Sequence, residues 1–121
     1  MSARRRVLIV EDETLIGFLL EEMVQDLGYE VAGVMSRLDQ AMAAAPDSFD
    51  MAILDVQLHG LQVFPFADRL AAQGTPFAFA TGNGGNGIPE AYRGAILLQK
   101  PFQQESLSWV LGQLAAQRTT Q

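Results

Sequence analysis

The sequence predicts an α/β protein built on a doubly wound parallel sheet, and three observations lead there. Short apolar runs recur along the 121 residues, each bounded by turn residues, as strands buried on both faces do. Between them lie stretches whose apolar residues return at helical spacing. Nothing interrupts the alternation: there is no internal repeat, no linker and no low-complexity tract beyond one Gly/Asn loop. At this length a single domain, residues 1–121, with one core is expected.

Taken in order, the first strand is Val7–Val10, running into Glu11-Asp12. Thr14 to Leu27 is a helix that Gly28 stops. At about 100° per residue, Ile16, Leu19, Leu20, Met23, Val24 and Leu27 form its apolar stripe, with Leu15 and Phe18 well off it. Glu30–Val34 is the second strand, and Arg37–Ala45 a short Ala-rich helix closed by Pro46. The central strand, Asp50–Asp55, drives Met51-Ala52-Ile53-Leu54 straight into a carboxylate. Val63–Gln73 is the third helix, with Pro65 tolerable in its first turn and Gly74 past its end.

Thr75-Pro76 opens the fourth strand, Phe77–Ala80. The run from Gly82 to Pro89 cannot start a regular helix early, and at most Pro89–Arg93 fits before the fifth strand at Ala95–Leu98. The fourth helix is therefore expected to be short or mobile. Lys100-Pro101 breaks the chain, Gln103–Ala116 is a last amphipathic helix carrying Leu107, Val110, Leu111 and Leu114, and the polar tail from Gln117 should fray. Five strands alternating with five helices suit the flavodoxin-like (βα)5 order 2-1-3-4-5. That order puts strands one and three side by side at the switch point.

Composition narrows the function classes. Half of the chain is apolar (49%), which fits a packed core, and the net charge of −6 argues against nucleic acid or an anionic membrane as partner. With no cysteine there is no disulfide framework, thiolate metal site or thiol nucleophile, which suits the cytoplasm, the expected location. Arg4-Arg5-Arg6 is a solvated lead-in to the first strand. The apolar run after it is too short for a signal peptide, and none nears the roughly 20 residues of a membrane helix.

Open α/β sheets bind ligands at the carboxyl ends of their strands. There the first strand ends in Glu11-Asp12, the third in Asp55, the fourth in Thr81 and the fifth in Gln99-Lys100. A strand-end Asp alone is ordinarily a turn or cap residue. Two acids, a hydroxyl and an ammonium converging on Asp55 make a phosphoryl-accepting site. Crowded Glu11, Asp12 and Asp55 call for a hard divalent cation with oxygen ligands, Mg²⁺ first. Asp12 and Asp55 are the expected direct ligands, with the Gln57 main-chain carbonyl as a third and Glu11 acting directly or through water. Lys100 would pair with the acids at rest and with the transferred group afterwards. The Thr81 hydroxyl and the Gly82 amide would grip phosphoryl oxygens.

Glu11-Asp12, Asp55, Thr81 and Lys100-Pro101-Phe102 resemble the receiver domains of two-component response regulators over nearly the whole chain. The resemblance implies a signalling module, without an output domain, that takes phosphate on Asp55 from a histidine kinase and then acts through protein contacts as a monomer or weak dimer. Phe79-Ala80-Thr81-Gly82 and Leu98-Gln99-Lys100-Pro101-Phe102 look like the single-domain "FATG" receivers paired with HWE-type histidine kinases. Departures are visible. Asn83 follows Thr-Gly where that subfamily has Tyr, Leu97 stands where most receivers carry a switch aromatic, and His59 replaces a frequent Pro. Receivers use the first helix to meet the kinase, so Leu15 and Phe18, within two turns of Asp12, are the expected contact.

Other readings fit less well. Gly82-x-Gly84-x-x-Gly87 matches a dinucleotide fingerprint, but it follows the fourth strand and lacks the long helix that should dock a pyrophosphate; it reads better as a mobile loop. His59, the single histidine, reads as an ordinary exposed loop residue, and Met23, Met35, Met42 and Met51 as core filler. An aspartyl-phosphate phosphatase on a similar sheet would need an acid two residues after the nucleophile, where this chain has Gln57.

Overall fold

The computed structural model describes residues 5–82 and 87–118. Its elements run β1 (Arg6–Val10), α1 (Thr14–Asp26), β2 (Glu30–Met35), α2 (Leu38–Ala43), β3 (Met51–Asp55), β4 (Gln57–Leu58), β5 (Leu61–Gln62), α3 (Phe64–Gln73), β6 (Phe77–Thr81), β7 (Ile96–Gln99) and α4 (Gln104–Arg118). The main sheet has the order β2-β1-β3-β6-β7, with every pairing parallel. Apart from the two-residue strands β4 and β5, this is the expected 2-1-3-4-5 flavodoxin-like arrangement.

Strand alternation divides the core in two. Val7 and Ile9 of β1 and Met51 and Ile53 of β3 pack under α1 and α4, against Leu20, Met23, Val24, Leu107, Val110, Leu111 and Leu114. Leu8, Val10, Ala52, Leu54 and Phe79 face α2 and α3, against Ala41, Phe66, Ala67 and Leu70. Both faces of β1 and β3 are therefore dry, which is why these strands read as unbroken apolar runs.

The fourth crossover carries only a 3-10 turn, Glu90–Tyr92, inside the short Pro89–Arg93 stretch expected there, beside four α-helices among the described residues. The Gly82–Gly87 loop read as mobile, Arg4 and the end of the polar tail fall wholly or partly outside the described residues. One expectation about helices needs correction. In α1 the stripe is rotated: Leu19 is exposed, whereas Gly17, with no side chain, is buried. A Cβ at Gly17 would stand 3.1 Å from Val34 Cγ1, so α1 settles onto β2 at that position. Leu19 lies about 100° from Leu20 on the other shoulder, and is lifted out.

Short α2 depends on a neighbour. Arg69 of α3 donates to the carbonyls of Ala41, Met42 and Ala44, the last carbonyls of α2, while its guanidinium lies 5.6 Å above the Phe66 ring. Among the described residues no helix is long and apolar enough to cross a membrane.

Candidate phosphoacceptor site

β1 and β3 are adjacent, with Val10 opposite Leu54, so Glu11-Asp12 and Asp55 emerge side by side at the carboxyl end of the sheet. Oxygens of Glu11, Asp12 and Asp55 all lie within 4.8 Å of one another. Lys100 arrives just past β7, held by its amide to the Thr81 carbonyl at 2.9 Å. Its Nζ stands 3.3 Å from Asp55 Oδ1 and 3.4 Å from Glu11 Oε1. The Lys100–Pro101 peptide is cis. A cleft of about 280 Å³ opens over Asp55, walled by Gln57, Gln62, Thr81, Gly82 and Gly87.

Burial dominates the electrostatics. Glu11, 2% exposed, is pushed up to about 7, chiefly because desolvation penalises its charge; the Glu13 amide, donating to Oε2 at 3.1 Å, acts against this. Burial also raises Asp55, opposed first by the Lys100 charge. Lys100 is raised in turn: burial lowers it, but the charges of Asp55 and Glu11 outweigh that. Glu11 Oε1 is in ion-pair range of Lys100 yet has no hydrogen-bond partner. One cation among three carboxylates, with a buried oxygen unmet, is a donor set that fits a hard divalent ion.

The predicted site residues thus come together: Glu11, Asp12, Asp55, Thr81 and Lys100 at one sheet end, with Gln57 in the cleft wall. Leu15 and Phe18 lie apart from them, 80% and 59% exposed on α1. Two features escaped the sequence reading. Gln57-Leu58 and Leu61-Gln62 form an antiparallel hairpin around His59-Gly60, and the His59 amide donates to Asp12 Oδ2 at 2.9 Å. The signal was available as two matched dipeptides flanking two residues, one of them Gly. The second is Tyr92, whose ring stacks on Phe64 and meets Phe77 and Phe79 edge-on, and whose hydroxyl donates to Asp68.

Residues 7–111 match the response regulator receiver domain family, and the chain belongs to it. It is similar to the phyllosphere-induced regulator PhyR of Methylorubrum extorquens, at 33% identity over 119 residues, covering 88% of this chain and 42% of that protein. The chain spans less than half the length of the curated relatives it matches. Among solved structures it resembles SdrG from Sphingomonas melonis Fr1, at 38% identity and a TM-score of 0.83, covering 95% of this chain and 99% of that one. It also resembles the receiver domain of PhyR from Erythrobacter litoralis, at 26% identity and a TM-score of 0.79, covering 98% and 95%. Receiver domains are signalling modules of two-component systems.

Proposed function

We propose that this receiver takes a phosphoryl group on Asp55 from a phosphohistidine. The observation that carries the reading is the pairing of Asp55 with Lys100 inside a three-carboxylate cluster. Asp55 Oδ attacks phosphorus; a P–O bond forms as the P–N bond to the donor imidazole breaks, and that nitrogen keeps the electron pair and takes a proton. Lys100 holds Asp55 at rest and is placed to accompany the charge once it moves onto phosphoryl oxygens. Thr81 and the Gly82 amide line the cleft where those oxygens would sit.

Asp12, Asp55, the Gln57 carbonyl and, directly or through water, Glu11 would hold Mg²⁺. When bound, the ion supplies positive charge that offsets the acids and the transferred group. The Gln57 carbonyl suits that role. The Val63 amide bonds the Val56 carbonyl at 2.9 Å, so the alternation of an antiparallel ladder makes Gln57–Gln62 a non-hydrogen-bonded pair whose carbonyls turn outward.

The FATG-like motifs at Phe79–Gly82 and Leu98–Phe102 favour an HWE-type kinase as donor, to a receiver acting as a monomer or weak dimer. Acetyl phosphate with Mg²⁺ tests the chemistry: intact mass should show one phosphoryl adduct on the parent protein and none on Asp55→Asn. An adduct of equal yield on the variant would refute the assignment.

A further inference from the structure

We infer that the main-chain amide of His59 is a positioning group for the cation site, orienting Asp12 and locking it to the hairpin that carries the Gln57 carbonyl. This rests on the reading of Glu11, Asp12, Asp55 and Gln57 as a Mg²⁺ site and goes beyond it, because His59 is no ligand.

The geometry supplies three observations. His59 N–H donates to Asp12 Oδ2 at 2.9 Å across 47 residues of sequence, the one hydrogen bond to the Asp12 side chain among the described residues. Glu11 and Asp55, by contrast, are buried or half-buried and held by Lys100. Asp12 would swing among rotamers without this contact, and a ligand that must be ordered as the ion arrives binds it less tightly.

The second observation is the backbone of the turn. His59 has φ of +50° and Gly60 +83°, both positive as a two-residue type I′ hairpin requires. Among the described residues His59 is the only one besides glycine in that region, so a side chain is tolerated where glycine would sit more comfortably. The amide of the first central residue of such a turn takes no part in the ladder, which leaves the His59 N–H to point outward at Asp12. A proline there has no N–H and cannot adopt that φ.

Third, the hairpin is anchored at its other end. Leu58 and Val63 are buried among the residues packed against α2 and α3, and the Val63 amide closes the ladder on Val56. Asp12 is thereby tied to a unit fixed to the core, and the separation between its carboxylate and the Gln57 carbonyl is set before any ion enters. Asp12 Oδ2 is engaged by the amide.

The test replaces the amide without disturbing the turn. A semisynthetic protein with the α-hydroxy analogue of histidine at position 59 loses the N–H and keeps the φ; His59→Gly keeps the N–H and loses the side chain. By calorimetric titration the ester should bind Mg²⁺ about tenfold more weakly than the parent, at the low end of losses for groups supporting a ligand. His59→Gly should stay within about twofold of the parent by the same argument. Hydrogen-exchange protection of the Val63 amide should be unchanged in both. Equal Mg²⁺ affinity of ester and parent, or loss of Val63 protection together with affinity, would each overturn the proposal while the phosphoacceptor reading stands. A parent protein that binds no Mg²⁺ would overturn both.

Discussion

Lys100 Nζ reaches Asp55 Oδ1 across 3.3 Å and Glu11 Oε1 across 3.4 Å, so one ammonium serves two carboxylates on neighbouring strands. The same charge that stabilises the ion-free cluster competes with a cation for it. Lys100→Gln should therefore bind Mg²⁺ at least as tightly as the parent, yet label with acetyl phosphate at least tenfold more slowly, the scale of losing one charge contact to a transferring group. Asp12→Ala should do the opposite in titration and weaken Mg²⁺ sharply. Calorimetry and intact-mass time courses on both variants separate binding from transfer.

Glu11 gives the metal-free protein a pH dependence of predictable sign. Its folded value, about 7, lies above the ordinary 4.5, so between these values the folded state holds a proton that the unfolded chain has released. Stability should fall as pH rises through that window, by at most about 3 kcal/mol. The raised Asp55 pulls the same way. Urea midpoints with chelator at pH 5 and 7.5 should show the decline. Glu11→Gln should flatten it, and Mg²⁺ should offset it at the upper pH by binding the folded state alone.

The sheet and the acid cluster were legible in the sequence for one reason. Strands buried on both faces announce themselves as apolar runs, and the site occupies the residues that end them, so locating the runs located Glu11, Asp55, Thr81 and Lys100. What was hidden depended on contacts between distant segments. The rotation of α1 turns on Gly17 meeting Val34, which no helical wheel contains. Arg69 looks like a surface residue of α3 until the carbonyls of α2 stand beside it. His59 was judged by its imidazole, while its main-chain N–H makes the contact.

Tyr92 holds the short fourth crossover to the sheet. Its ring lies 6.1 Å from Phe64, nearly parallel, and 5.8 and 5.5 Å from Phe77 and Phe79. Burial first, then the hydrogen bond to Asp68, pushes its hydroxyl up to about 12. Absorbance titration should show one of the two tyrosines ionising late, and Tyr92→Phe should remove that late step. Because the folded value exceeds the ordinary 10, any stability this proton supports is intact below pH 10 and lost toward 12. Tyr92→Ala should destabilise by about 2 kcal/mol, less than a fully buried aromatic because Tyr92 is partly exposed. Denaturant unfolding of the three proteins measures it.

Leu15, Phe18 and Leu19 stand 80%, 59% and 46% exposed within little more than one turn of α1, an apolar patch wider than the two residues expected. Phe18 and Leu19 border a shallow groove with Glu21, Glu22 and Gln25. Scattered surface apolar residues are common, but three on one helix beginning two residues after Asp12 are not scattered. On the proposed function, a kinase helix bringing its phosphohistidine to Asp55 would rest beside the cleft, where this patch would offer it an apolar foothold. Phe18→Ala removes no core contact, so folding and labelling by acetyl phosphate should be nearly unchanged. Transfer from the cognate kinase should slow at least several-fold, since truncating an aromatic anchor typically costs about 2 kcal/mol. Leu15→Ala should act in the same direction with a smaller effect. Parallel kinetics with the two donors decide the matter: equal slowing with both would trace the loss to the fold, and full speed with the kinase would leave Phe18 outside the interface.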